Sequence, residues 1–125
     1  MILGIGIDLV KVDRIERAVE RWSEGFTYRV FTEGELVYSL RQKRPAVHLA
    51  ARFAVKEAVM KAFGTGWSGG VKWTDVEVVR GESGRPGVVL SGRLGDMGAD
   101  MGVKEILVSF THDGDYAVAQ AILTG

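Results

Sequence analysis

Residues 2–10 (Ile-Leu-Gly-Ile-Gly-Ile-Asp-Leu-Val) form a nearly continuous apolar run, the pattern of a central strand buried on both faces. The spacing then turns helical. Asp13 and Glu16 stand at the interval of a capping box, so a first helix is expected to start at Asp13. Its apolar stripe would be Ile15, Ala18, Val19 and Trp22. Thr32 and Glu35 repeat the capping interval and predict a second helix running to about Arg41. Gln42 to Pro45 reads as a turn carrying Lys43 and Arg44, and Ala46 to Phe63 as the longest helix, stopped by Gly64. Gly64, Thr65, Gly66, Ser68, Gly69 and Gly70 make a loop. Residues 73–79 and 87–91 read as strands, and a glycine-interrupted helix is expected around Leu94 to Met101. Residues 104–111 and 116–123 read as two further strands on either side of His112-Asp113-Gly114-Asp115, where Asp-Gly favours a tight hairpin. The predicted fold class is α+β, long helices packed on a mainly antiparallel sheet, with residues 1–125 as a single domain.

The helix over 46–63 is the most informative segment. Leu49, Phe53, Met60 and Phe63 make one large apolar stripe, while Ala50, Ala54, Ala58 and Ala62 make a smooth face that another backbone can approach closely. Such a helix should be largely surrounded by protein, yet it carries Arg52, Lys56, Glu57 and Lys61. Arg52 and Lys56 share one flank; Glu57 and Lys61 share the other. Glu57 with Lys61 reads equally well as an ordinary helix pair, worth only ~0.3–0.5 kcal/mol if exposed. Arg52 and Lys56 cannot neutralise each other, and desolvating an unpaired charge is costly. Three cations and one carboxylate on this helix point to a polyanionic ligand.

Asp8 interrupts the apolar strand just after Gly4-Ile5-Gly6, where a backbone can come close. It reads either as a cap or turn residue, or, with Glu57, as an oxygen ligand for Mg²⁺, which takes only one or two protein carboxylates beside substrate phosphate. The Gly64-Thr65-Gly66 loop is either a plain helix stop or a nest of backbone N–H groups for phosphate. His112, after Ser109-Phe110-Thr111, is either structural or faces a site; His48 is unassigned. On the first helix Arg14, Arg17 and Arg21 line one side, either as a solvated face or as a docking surface for an acidic helix.

Composition narrows the function classes. Hydrophobic residues are 46% and charged residues 26%, a globular balance. The apolar opening is too short to span a bilayer and has no basic leader, so a cytoplasmic location is expected. Without cysteine there is no disulfide, thiolate metal site or cysteine nucleophile. Net charge is zero, against a general nucleic-acid binder. Residues 1–63 nevertheless carry eleven Lys/Arg against eight Asp/Glu, and residues 64–125 five against eight, so an anionic partner should dock on the first half. No Gly-x-Ser-x-Gly elbow, Walker loop or complete dinucleotide fingerprint occurs.

Taken together, three blocks resemble the holo-acyl-carrier-protein synthase family, the small 4′-phosphopantetheinyl transferases. They are Gly4-Ile5-Gly6-Ile7-Asp8-Leu9-Val10 with Arg14-Ile15; Arg52-Phe53-Ala54-Val55-Lys56-Glu57-Ala58 through Lys61-Ala62-Phe63-Gly64-Thr65-Gly66; and Ser109-Phe110-Thr111-His112 with Asp115-Tyr116-Ala117-Val118-Ala119. The resemblance implies attack by a carrier-protein serine on the β-phosphate of coenzyme A, releasing adenosine 3′,5′-bisphosphate. It implies that Asp8 and Glu57 hold Mg²⁺ and that Lys61 neutralises the leaving phosphate. Arg52, Lys56, Gly64, Thr65, Gly66, Thr111 and His112 would contact coenzyme A, with Lys43 and Arg44 as weaker candidates. Arg14, Arg17 and Arg21 would meet acyl carrier protein, and the assembly would be a homotrimer with sites between subunits. Lys11, Ala51 and Asp113 depart from the commonest family pattern, and none of them removes a metal ligand. Two rival classes are a non-catalytic coenzyme A-binding module, which does not need both carboxylates, and a structural oligomer, which needs no ligand.

Overall fold

The computed structural model describes residues 1–64 and 66–125. The chain runs β1 (Ile2–Lys11), α1 (Val12–Trp22), α2 (Glu24–Val30), α3 (Glu33–Leu40), α4 (Pro45–Phe63), β2 (Val76–Arg80), β3 (Pro86–Leu90), α5 (Gly92–Met101), β4 (Glu105–Asp113) and β5 (Tyr116–Thr124). A three-stranded sheet has the order β1-β5-β4, and β2 with β3 forms a separate hairpin. Every strand pairing is antiparallel. The α+β expectation is met. No helix among the described residues is long and apolar enough to cross a membrane.

Small residues decide how the two main layers meet. Ala50, Ala54 and Ala58 of α4 are completely buried, as are Ala117 and Ala121 of β5. On β1, a Cβ at Gly4 would lie 2.1 Å from the Ala62 carbonyl oxygen, and one at Gly6 would lie 1.8 Å from that of Ala58. Two strand residues advance ~6.6 Å and four helix residues ~6 Å, so the glycine step and the alanine step stay matched. Strand and helix therefore touch backbone to backbone. Larger side chains fill the remaining volume: Leu49, Val55, Val59, Met60, Leu94 and Leu123 are all at most 2% exposed. Each such burial contributes ~1.5–3 kcal/mol.

Four expectations are corrected. β1 is not central: it lies at the sheet edge, and from Gly4 onward only its even-numbered residues face α4, while before the register shift Leu3 packs on the core and Ile2 is exposed. Ile5, Ile7 and Leu9 point outward, 56–62% exposed. Asp13 does not cap α1, which begins at Val12 with Lys11 before it; Asp13 instead pairs with Arg17 at 3.0 Å. Trp22 is not in the core but exposed, with the Arg21 guanidinium 5.0 Å above its ring. Residues 73–75 form a 3-10 turn, so the strand expected from residue 73 starts at Val76. No sequence pattern predicts a helix over 24–30, where α2 lies. The capping box at Thr32 and Glu35 is present, with both of its reciprocal hydrogen bonds.

Candidate active site

Alternation along β1 sets the first cluster. Asp8 shares the inward face with Gly4, Gly6 and Val10, so its side chain is directed at α4 and only 14% exposed. There the Lys61 ammonium meets Asp8 Oδ1 at 3.1 Å and also donates to the Ile7 carbonyl at 3.0 Å. One helical turn earlier, Glu57 is half-buried and accepts from the Trp67 indole N–H at 3.4 Å. Burial raises the Glu57 pKa and the Asp8 charge raises it further, while the Trp67 hydrogen bond, Lys61 and Arg14 pull it down. The two carboxylates are thus close enough to repel, with Lys61 between them in charge. Arg14 joins this cluster within the same chain, its guanidinium 5.5 Å from the Phe53 ring centre.

Hard oxygen donors of this kind suit Mg²⁺, which takes one or two carboxylates and completes its shell with water and phosphate. No group of three or more His, Cys, Asp or Glu side chains that could hold a metal exists among the described residues. The donor chemistry therefore fits a cation shared with a bound phosphate, not a closed protein cage. The Glu57 pKa is raised chiefly by burial, which disfavours its charged form.

The other flank of α4 behaves differently. Lys56 is completely buried, 2.9 Å from Glu35 Oε1, and donates to the carbonyls of Trp73 and Val76. Glu35 also accepts from the Thr32 and Val78 N–H groups. Burial lowers the Lys56 pKa, and Glu35 opposes that shift. The sequence pattern leaves Lys56 waiting for a ligand; the structure gives it Glu35 instead, and no part of it reaches solvent. Arg52 is 3% exposed, donates to the His48 carbonyl at 3.2 Å and lies 4.3 Å from the Tyr38 ring centre. Its Nε is buried and has no hydrogen-bond partner among the described residues. Burial lowers the Arg52 pKa.

His112 lies with this second group, its ring 6.4 Å from His48. The His48 pKa is lowered by burial and by the charges of Arg52, His112 and Arg80. Sequence reasoning passes over His48, Tyr38 and Arg80; the signal for His48 is its place one turn before Arg52. Thr111 is exposed beside His112 on β4. Lys43 and Arg44 precede α4, and both are exposed. Gly64 ends α4 with φ of 76° and donates to the carbonyls of Met60 and Lys61, the helix-stop geometry; Gly66 has φ of 65°. Thr65 lies outside the described residues. Arg14, Arg17 and Arg21 are all exposed along α1.

A third feature has no forerunner in the sequence pattern. The Trp73 ring stacks between Phe53, at 5.0 Å, and Trp67, at 3.8 Å. Trp67 and Trp73 also line a cavity of about 410 Å³ with Tyr28, Arg29, Val71, Lys72 and Thr74.

Comparison with known proteins places the whole chain. A family model described as the 4′-phosphopantetheinyl transferase superfamily matches residues 4–121. The holo-[acyl-carrier-protein] synthase of Solibacter usitatus is 45% identical over 123 residues, covering 98% of both chains. That of Moorella thermoacetica is 45% identical over 121 residues, covering 97% of this chain and 93% of its own. Among solved structures, the holo-[acyl-carrier-protein] synthase of Neisseria meningitidis superposes with a TM-score of 0.91 at 30% identity, over 100% of each chain. The Helicobacter pylori enzyme, solved in complex with coenzyme A, gives 0.84 at 27% identity over 96% of this chain and 99% of its own.

Proposed function

The chain belongs to the 4′-phosphopantetheinyl transferase superfamily, and on that premise we propose that it is a holo-[acyl-carrier-protein] synthase moving 4′-phosphopantetheine from coenzyme A to a carrier-protein serine. The serine oxygen attacks the β-phosphorus, the bond to the bridging oxygen breaks, and adenosine 3′,5′-bisphosphate leaves with the electron pair. The observation that carries this reading is the Lys61 ammonium seated on Asp8 beside a half-buried Glu57.

Phosphoryl transfer needs positioning and neutralised charge more than covalent help from the protein. Asp8 and Glu57 would hold Mg²⁺, which when bound supplies positive charge at the diphosphate. Lys61, half-exposed, is free to turn toward the leaving phosphate. A water held near Glu57 would take the serine proton. Arg52, Thr111, His112 and the Gly64-Thr65-Gly66 loop are proposed contacts for the rest of coenzyme A, and Arg14, Arg17 and Arg21 for acyl carrier protein. Lys56 leaves the ligand set and keeps a structural role.

A homotrimer is the proposed assembly, residues 1–125 acting as one domain in each subunit, in the cytoplasm. The outer sheet face supports it: Ile5, Ile7 and Leu9 pair in register with Ile122, Gln120 and Val118 and leave an apolar surface open. Within one chain, Arg52 and His112 make their contacts with each other's neighbours, apart from those of Asp8 and Glu57. A coenzyme A spanning two subunits would bring the groups together.

The test incubates the protein with coenzyme A, Mg²⁺ and an apo carrier protein, then weighs the carrier. A mass gain of one 4′-phosphopantetheine is expected, and it should vanish with chelator. No gain with several carriers overturns the transferase reading; binding of coenzyme A without transfer leaves only a binding module.

A further inference from the structure

We propose that Trp67 is a positioning residue for the transfer: its indole N–H fixes the carboxylate of Glu57 in the orientation from which, with Asp8, it meets a divalent cation. The inference rests on the metal reading above. Trp67 Nε1 donates to Glu57 Oε1 at 3.4 Å. The ring that carries this donor is itself held, stacked on Trp73 with centroids 3.8 Å apart and planes 27° from parallel. Trp73 in turn stacks on Phe53 at 5.0 Å and 22°.

The helix explains why this arrangement can aim a side chain. Phe53 and Glu57 both belong to α4 and stand one turn apart on the same face. The pile of rings starts on Phe53, passes through Trp73 and Trp67, and returns to α4 through the N–H on Glu57. Both ends of this strut therefore stand on one rigid element. Its middle is tied down as well, because the Trp73 carbonyl accepts from buried Lys56 at 3.2 Å, and Lys56 is paired with Glu35 at 2.9 Å. A glutamate on an open helix face keeps several rotamers and must surrender them when it binds an ion. Here the strut removes part of that freedom beforehand, which is how groups that hydrogen-bond a metal ligand strengthen it.

The kind of donor matters too. An indole N–H gives one hydrogen bond, accepts none and carries no charge. It can hold one oxygen of Glu57 and still leave the negative charge of the carboxylate for a cation. A lysine or arginine in its place would answer that charge itself. Lys61, the cation that helical spacing offers to Glu57, is drawn away to Asp8 Oδ1 at 3.1 Å and the Ile7 carbonyl at 3.0 Å.

Two measurements test this. Trp67→Phe keeps a ring against Trp73 and removes the N–H. With coenzyme A present and no carrier, Mn²⁺ is titrated and the free ion is read by electron paramagnetic resonance. The Kd for Mn²⁺ should rise about tenfold or more, the usual effect of losing a group that orients a metal ligand. In carrier modification the KM for Mg²⁺ should rise similarly, with kcat at saturating ion within about threefold of wild type. The second measurement uses the unsubstituted chain, so folding of the variant does not limit it. In protein labelled with ¹⁵N-tryptophan and loaded with coenzyme A, Mg²⁺ should move the indole N–H signal of Trp67, while that of Trp22, exposed on α1, stays in place. Trp22→Phe and Trp73→Phe assign the signals by elimination.

A Trp67→Phe protein that folds and binds Mn²⁺ with the wild-type Kd overturns the proposal and leaves the indole as a wall only. A lowered kcat at unchanged Mn²⁺ affinity also overturns it and makes the ring a substrate contact. So does a Trp67 signal that saturating Mg²⁺ does not move. If the wild type itself holds no Mn²⁺ beside coenzyme A, the metal reading beneath fails and takes this inference with it.

Discussion

The ammonium of Lys56 lies 2.9 Å from Oε1 of Glu35, and neither side chain touches solvent. This pair ties α3 to α4, and through the carbonyls of Trp73 and Val76 it ties both helices to the β2–β3 hairpin. Removing one partner of such a pair strands a buried charge, which typically costs ~3–5 kcal/mol. Lys56→Met should therefore lower the urea midpoint sharply. Lys56→Met with Glu35→Gln should be less destabilised than the two single variants added together, since the side-chain amide left by the second substitution still accepts from the Val78 N–H. Additive losses in the double-mutant cycle would contradict a coupled pair.

Gly6→Ala asks for a methyl group 1.8 Å from the Ala58 carbonyl. The helix backbone cannot yield that distance, so β1 must lift from α4, at a cost of ~3 kcal/mol or more. Gly25, in α2, has nothing within 4 Å of an added Cβ. Gly25→Ala should stabilise the protein by ~0.4–1 kcal/mol. Chemical denaturation of both variants tests the contrast.

Glu57 has its pKa raised above the ordinary 4.5, chiefly by burial. The folded state then binds the proton more tightly than the unfolded state, so stability falls as pH rises from the unfolded value through the folded one. Glu57→Gln removes that penalty. In chelator at neutral pH its Tm should equal or exceed wild type, with the gap closing as pH falls below the folded pKa. Mg²⁺ should raise the wild-type Tm and leave the variant unmoved, while transfer is lost. A variant that melts lower than wild type in chelator would mean that the carboxylate is a structural anchor.

Lys61→Met should lower kcat for carrier modification by about 10²–10³-fold, the usual effect of deleting one preorganised charge donor. Asp8 then loses its counter-charge, so the divalent ion should bind no more weakly than before. A fall in metal affinity matching the fall in kcat would reassign Lys61 to shaping the carboxylate site.

Leu9→Glu places a charge on the open apolar face of β1. If that face joins subunits, sedimentation should shift from trimer to monomer, and coenzyme A affinity should fall although Leu9 lies on the opposite strand face from Asp8. A trimer that survives the substitution would move the interface elsewhere.

What could be seen in the sequence follows from how many explanations each residue admits. Gly4, Gly6 and the alanine ladder have one good explanation, close backbone approach, and they meet as expected. Glu35 already has a sufficient role as a capping-box residue, which hides its second role as the counter-ion of Lys56, so Lys56 reads as unpaired. An apolar run cannot say whether its outer face meets its own chain or another, which is why β1 reads as central. Asp13 has the right interval for a cap, yet the chain turns helical one residue earlier and leaves it to Arg17. Trp67 and Trp73 are separated by a glycine-rich stretch without periodicity, so their stacking leaves no pattern to find.

The backbone contact between β1 and α4 also governs how heat would silence the protein. The backbone at Asp8 cannot leave that at Glu57 unless the strand parts from the helix, and that separation opens the core. Loss of activity and loss of structure should accordingly share one temperature, with no inactive but folded species beneath it, and those amides of 4–8 that bond to β5 should be among the last to exchange with deuterium.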